Sequence, residues 1–237
     1  MGDIWGKALL DYQLGNYQED IVTYSSLDEE DVIPLPYLFR NFDEMPMLEQ
    51  KALLRCEGHV LDIGCGAGSH SLYLQEKGYV VTSLDVSAGA IATCKLRGIK
   101  NRVENSVLAY SGTKFDTLLL LMNGIGIVGH LANMEVYLQH FKTLLKPEGQ
   151  ILLDSSDIIY MFAKDADGGH WIPNDKGYYG EVTFQMVYKG AESGFFQWLY
   201  LDFNTLQNAA RANGYDCELV SHGKHYDYLA RLTLASY

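Results

Sequence analysis

The sequence predicts an α/β fold: a doubly wound, mostly parallel sheet with an antiparallel C-terminal strand. Three observations carry this. Strand-like and helix-like segments alternate between residues 59 and 154. One of the strands, 115–124 (FDTLLLLMNG), is apolar on both faces, as the middle of a parallel sheet covered by helices must be. The last two strand-like runs, 217–221 and 226–234, are joined too tightly for a crossover, so they pair antiparallel.

The elements follow in order. Residues 1–50 read as short helices and loops broken by Pro34, Pro36 and Pro46, a cap segment ahead of a main domain at 51–237. Residues 59–63 form a buried strand, and 69–77 a helix that Gly78 stops. The run 79–85 (YVVTSLD) is β-branched and extended. Ser87 caps a helix that reaches Arg97 and ends at Gly98. Residues 102–104 make a weaker strand. Leu131, Met134, Leu138, Phe141 and Leu145 recur at helical spacing, and Lys146-Pro147-Glu148-Gly149 turns the chain into a buried strand at 150–154. The rhythm then changes. An insertion at about 158–202 holds irregular chain and two strands, 181–189 and 195–202. A helix at 204–213, stopped by Gly214, precedes the closing strands.

Composition narrows the class. With 48% hydrophobic and 20% charged residues, the 237-residue chain is ordinary globular protein. No apolar run is long enough to span a bilayer, and no secretion leader is expected from the first residues. Cys56, Cys65, Cys94 and Cys217 show no zinc spacing, which points to free thiols, a reducing compartment and a cytoplasmic location. Net charge is −12, and residues 1–50 hold eleven acids against two bases, Lys7 and Arg40. Without a basic stripe such a chain repels a phosphate backbone, so nucleic acid is not an expected partner. The run Asp28–Asp31 reads as a solvated acidic face.

The chemistry concentrates where the first strand of the alternation hands over to its helix: VLDIGCGAGSH, residues 60–70. Such a turn lies in the ligand crevice at the carboxyl end of a doubly wound sheet, where glycine lets backbone approach a ligand closely. The spacing is Asp-x-Gly-x-Gly-x-Gly, Asp62 through Gly68, rather than the Gly-x-Gly-x-x-Gly of dinucleotide-binding folds. The next strand ends in Asp85, placed to accept from both hydroxyls of a ribose. At these residues the chain resembles the class I S-adenosylmethionine-dependent methyltransferases, whose fold is Rossmann-like. The resemblance runs from about residue 57 to 154, including LLKPEGQILLDS, and resumes at 202–234.

The resemblance implies site residues. Gly64, Gly66 and Gly68 would lie against the methionine moiety of the cofactor, and Asp62 would help bind its amino group. Asp85 would hold the ribose hydroxyls and Val86 would pack on the adenine. Where many members have an aspartate for the adenine amino group, this chain has Ser106, beside Asn105. Asn123 would face the methyl group and the acceptor.

The loop after that strand, MNGIGIVGH, lacks the Asn/Asp-Pro-Pro-aromatic motif of members that methylate adenine or glutamine amides, so a small-molecule acceptor is expected. Methyl transfer is an in-line displacement that needs alignment and desolvation; a hydroxyl acceptor also needs a base. His130 and His170 are the candidate bases, each equally readable as a capping or surface residue. His70 reads as a half-exposed helical residue bordering the cofactor. Arg40 is a candidate partner for the cofactor carboxylate or, alternatively, a surface ion pair with Asp43 or Glu44. Eleven of the residues from Tyr160 to Tyr200 are aromatic. They suit a wall for a flat or cationic acceptor, with Trp171 and Tyr178 as contacts. They equally suit a ribbon that buries itself or forms a homodimer interface. Gly168, Gly169, Gly177 and Gly180 would let this segment close over an acceptor. Two other readings remain open: a nucleotide-cofactor oxidoreductase, and a non-catalytic protein that keeps the cofactor fold.

Overall fold

A computed structural model describes residues 2–164, 169–172 and 177–235. Helix α1 (Ile4–Gln13) is followed by a hairpin of β1 (Ile21–Ser25) and β2 (Glu30–Ile33), then by α2 (Leu35–Leu38) and α3 (Met47–Leu53). The alternation begins with β3 (His59–Ile63), α4 (Ser69–Glu76), β4 (Val80–Asp85), α5 (Ala88–Leu96) and β5 (Asn101–Glu104). It continues through β6 (Phe115–Leu120), α6 (Met134–Leu144) and β7 (Leu145–Ser156). The insertion supplies β8 (Glu181–Tyr188), β9 (Ala191–Glu192) and β10 (Phe196–Leu199). Helix α7 (Phe203–Ala212), β11 (Tyr215–His222) and β12 (Asp227–Leu234) close the chain.

Seven strands form the main sheet in the order β11-β12-β7-β6-β3-β4-β5. Strands β7, β6, β3, β4 and β5 run parallel, and β12 inserts antiparallel between β7 and β11. This is the doubly wound sheet with antiparallel closure that the sequence predicts. Its middle strand shows why: Leu118, Leu119 and Leu120 of β6 are all fully buried, alternating between two cores. Leu118 and Leu120 pack with α6 and α7, while Leu119 packs with α3 and α4. Each buried leucine stabilises the sheet by about 2 kcal/mol.

Two expectations need correction. Residues 1–50 contain strands as well as helices: β1 pairs with β2 and also with β8, Thr23 lying opposite Met186. The N-terminal segment and the insertion therefore share one antiparallel sheet, β10-β8-β1-β2, with β9 on β8. The reason is the alternating run IVTYS, whose partner lies far along the chain. The second correction concerns β7, which starts at Leu145 rather than 150, because Leu145 pairs with Phe115 before the register shifts. Gly168 lies outside the described residues. Among the described residues, no helix is long and apolar enough to cross a membrane.

Candidate functional site

The glycine turn is built by the ends of two neighbouring strands. Gly64 and Cys65 donate their N–H groups to the carbonyl of Leu84 at 2.8 and 3.1 Å. Gly66 donates to Asp85 Oδ2, and Ser87 to Asp85 Oδ1, both at 2.9 Å. Gly64 and Gly68 adopt φ of +73° and +80°, the left-handed region that other residues enter at a cost. They need glycine for different reasons. A Cβ on Gly68 would stand 2.2 Å from Ile99 Cδ1 and 2.8 Å from Cys94 Sγ, so both side chains would have to shift. A Cβ on Gly64 would meet nothing within 4 Å: the backbone there faces open space. That open face is what a ligand lying against the turn requires.

Asp85 is buried but not saturated. Burial pushes its carboxyl upward, and the amides of Ser87 and Gly66 oppose that. Each oxygen takes one amide and keeps a second acceptor position for a hydroxyl. The N–H of Asn105 donates to the Asp85 carbonyl at 2.9 Å, which brings the Asn105–Ser106 loop to the same rim. Val86 on that rim is 71% exposed, an apolar side chain with nothing of the protein over it, and Ser106 is exposed as well. The turn, Asp85, Val86 and Ser106 thus meet along one edge. They set open backbone, free carboxylate acceptor positions and exposed apolar surface side by side.

Asp62 is turned inward. It is 2% exposed and accepts from Ser71 Oγ at 2.6 Å, which ties β3 to α4. Burial raises its pKa. Asn123 is also engaged by protein: its amide donates to the Leu199 carbonyl at 3.2 Å and accepts from Ser155 Oγ at 2.9 Å. It therefore anchors β10 to the ends of the main strands. Met122 and Asn123 both sit at positive φ, 65° and 56°. Such strain persists only where the surroundings hold it. The holder is Asp154, whose oxygens accept from Met122 and Gly124 N–H at 3.2 and 3.1 Å.

Arg40 lies in the interior, 6% exposed, and pairs with neither Asp43 nor Glu44. Its guanidinium bonds both oxygens of Glu49 and stacks 3.9 Å from the Tyr37 ring centroid. Glu44 instead accepts from the N–H of Asn41 at 2.8 Å. His70, expected half-exposed, is buried and bonds Glu49 Oε2 at 2.7 Å. Burial pushes the Glu49 carboxyl up, but His70 and Arg40 outweigh it and hold the group low. The converse holds at His70: burial disfavours the cation, and Glu49 with Asp62 outweighs it, so the pKa rises. This triad joins α3 and α4 beside the crevice.

The remaining candidates lie on the second sheet and its flank. His130 Nδ1 is 2.9 Å from Glu181 Oε2, on a cavity of about 280 Å³ that Tyr178, Tyr179, Phe162 and Gln197 also line. Tyr178 donates to Asp202 Oδ2 at 2.6 Å. His170 bonds the Phe162 carbonyl at 2.9 Å, and Trp171 is 67% exposed. His130 and Tyr178 therefore share a cavity, while His170 and Trp171 are not among its lining residues.

Four residues escape sequence reasoning. Asp3 caps α1 and accepts from Ser87 Oγ at 2.8 Å and Gly89 N–H at 2.9 Å. It docks α1 on α5, so that the Trp5 ring lies 3.6 Å from where a Gly66 Cβ would stand. Glu49 and Asp154 are the others. An isolated acid in sequence carries no signal of its distant partners; only the Asp3 cap, just before a helical run, was locally visible.

Residues 37–220 match the family described as a methyltransferase domain. A solved Bacteroides fragilis protein, a SAM-dependent methyltransferase in complex with S-adenosyl-L-homocysteine, is 43% identical. Its TM-score is 0.91 over 99% of this chain and 95% of that one. The ribosomal RNA small subunit methyltransferase C of Aliivibrio fischeri is 29% identical over 168 residues, 65% of this chain and 50% of its own length. The ubiquinone biosynthesis O-methyltransferase of Dinoroseobacter shibae is 31% identical over 100 residues, 39% of each chain. The chain thus spans half or less of these two curated relatives.

Proposed function

Because the chain belongs to the methyltransferase domain family, we propose that it transfers a methyl group from S-adenosylmethionine to a small-molecule acceptor. The observation that carries this reading is the open backbone at Gly64 beside Asp85, whose carboxylate keeps acceptor positions free. The cofactor supplies a methyl group made electrophilic by its sulfonium.

The protein's own residues bind and align. Asp85 accepts the ribose hydroxyls while its other acceptor positions keep the turn in shape. Val86 covers one face of the adenine, and Ser106 reaches its edge with one hydrogen bond. Gly64 and Gly66 let backbone lie along the methionine tail. Asp62 backs the turn from inside through Ser71, and the Glu49–His70–Arg40 cluster, one carboxylate between two basic partners, braces α3 against α4. Trp5 and α1 cover the turn, and the second sheet covers the strand ends through the Asn123–Leu199 bond, keeping water from the acceptor.

A small molecule is favoured over nucleic acid by the net charge of −12 and by the enclosure that α1 and the second sheet impose. The likeness to a ribosomal RNA enzyme supplies the competing reading. A salt-sensitive shift of RNA at sub-micromolar protein would support that competitor. Methyl transfer from labelled cofactor to a small-molecule library, with none to RNA, is the expected result.

A further inference from the structure

We propose that Asp154 takes the proton from the accepting atom, and that this atom is the nitrogen of an aliphatic amine arriving as its ammonium ion. The inference rests on the cofactor reading above and names its acceptor class.

Asp154 stands at the crevice end of the main sheet. It lies one residue beyond the rung where Leu153 pairs with Leu120, next to the Met122–Asn123 corner. The resemblance places that corner against the methyl group. The backbone amides of Met122 and Gly124 fix the direction of its carboxylate. The other acids of the crevice have roles already: Glu49 pairs with Arg40 and His70, Asp62 accepts from Ser71, and Asp85, which like Asp154 accepts two backbone amides, is the one assigned to the ribose. Among the described residues, no side chain hydrogen-bonds to Asp154, and part of its surface is exposed.

The groups in electrostatic reach are Glu49 on α3, His70 on α4 and Tyr37 on α2, with the Arg40 guanidinium against both Glu49 and Tyr37. Burial lifts the Asp154 carboxyl to about 7; Glu49 adds to the lift, and the Gly124 amide and His70 oppose it. A carboxyl so poised is ionised for about half of the molecules at neutral pH and can take up a proton. From an alkylammonium, with a pKa of about 10, the transfer is uphill by about three powers of ten. From an alcohol it is uphill by about nine, taking water as the guide. A phenol matches the ammonium in acidity, but its transfer only moves the negative charge from Asp154 to the phenolate, a charge that burial still disfavours. An ammonium is attracted by ionised Asp154, and both groups become neutral on proton transfer, before methylation returns the positive charge to nitrogen.

The step balances. An N–H bond of the ammonium breaks and an O–H bond forms on Asp154, leaving the nitrogen its lone pair. That pair forms the N–CH3 bond as the S–CH3 bond breaks with its electrons on sulfur, and the carboxyl later releases its proton to water.

The test uses the full chain with aspartate carboxyls labelled with carbon-13, saturated with S-adenosylhomocysteine. The signal missing from Asp154→Asn is expected to titrate near pH 7 and to move down by about one unit or more with n-butylamine present. A signal that titrates below about pH 5, or that ignores the amine, overturns the proposal. In parallel, primary and secondary amines are offered beside alcohols and phenols of the same skeleton. The expected result is transfer to amines, lost by about 100-fold or more in Asp154→Asn. The cofactor affinity of that variant should stay within about threefold and its melting temperature near wild type. Preferential transfer to alcohols or phenols, or wild-type turnover by Asp154→Asn, overturns it. A protein that binds no S-adenosylhomocysteine overturns the cofactor reading and this inference together, whereas hydroxyl transfer by a cofactor-binding enzyme overturns this inference alone.

Discussion

Asp85 accepts the backbone N–H of Gly66 at 2.9 Å, which fastens the end of β4 to the middle of the glycine turn. One carboxylate thus shapes the cradle and, in the proposed complex, holds the ribose. Asp85→Ala should weaken S-adenosylhomocysteine by about 2–4 kcal/mol, the worth of two charge-assisted hydrogen bonds. It should also lower the melting temperature, because the Gly66 and Ser87 amides lose their acceptor. Calorimetry and thermal unfolding read the two effects. Unchanged affinity would end the ribose assignment.

Gly89 and Gly6 touch where α1 crosses α5. A Cβ on Gly89 would stand 2.4 Å from the Gly6 carbonyl carbon, which cannot give way without moving the helix. Gly89→Ala should therefore displace α1 and its Trp5 from the turn. A stability loss of about 1–3 kcal/mol is expected by denaturant unfolding, together with weaker cofactor binding. A variant as stable as wild type would show that α1 is not docked there.

The main sheet and the turn were legible in the sequence because their signals are local. The apolar run of β6, the caps at Ser87 and Gly98, and the Asp62–Gly68 spacing each lie within a few residues. The second sheet was not legible, because Thr23 and Met186 meet only in the fold. The same limit hid Glu49, which is an ordinary helical acid until Arg40 and His70 close on it. Arg40 was noticed for its rarity, but its partner was assigned by nearness in sequence, to Asp43 or Glu44, and the true partner is on α3.

The Glu49–His70 pair gives stability a pH dependence whose sign is fixed. The folded pKa of His70 lies above its ordinary 6.5, so its contribution is full below that pH and is lost as pH rises through the folded value. Glu49 is held below its ordinary 4.5, so its contribution is present above that pH and is lost as pH falls through the folded value. Melting temperature against pH should fall on the alkaline side in wild type and flatten there in Glu49→Gln. The substitution itself should cost about 3–5 kcal/mol, since it strands a buried arginine. A wild-type profile that rises past pH 6.5 would contradict the assigned pairing.

Trp171 and Tyr178 separate an acceptor wall from an interface. Trp171 is 67% exposed, so Trp171→Ala should leave folding and cofactor affinity unchanged. If the segment contacts the acceptor, turnover falls while the mass by light scattering stays constant. A change of mass, or normal turnover, removes Trp171 from the acceptor site. Tyr178→Phe loses the bond to Asp202 and should cost about 1 kcal/mol of stability.

The most direct test of the cofactor reading is a calorimetric titration of wild type and Gly64→Ala with S-adenosylhomocysteine and, separately, with NADH. Gly64 faces open space, so alanine there should cost the fold only about 1–2 kcal/mol of backbone strain while its methyl group enters the cradle. One site per wild-type chain, no heat with NADH, and an affinity for S-adenosylhomocysteine at least about 30-fold weaker in Gly64→Ala are the expected results. A wild-type protein that binds NADH or neither ligand, or a Gly64→Ala variant that binds S-adenosylhomocysteine as well as wild type, would contradict the placement of the cofactor on this turn.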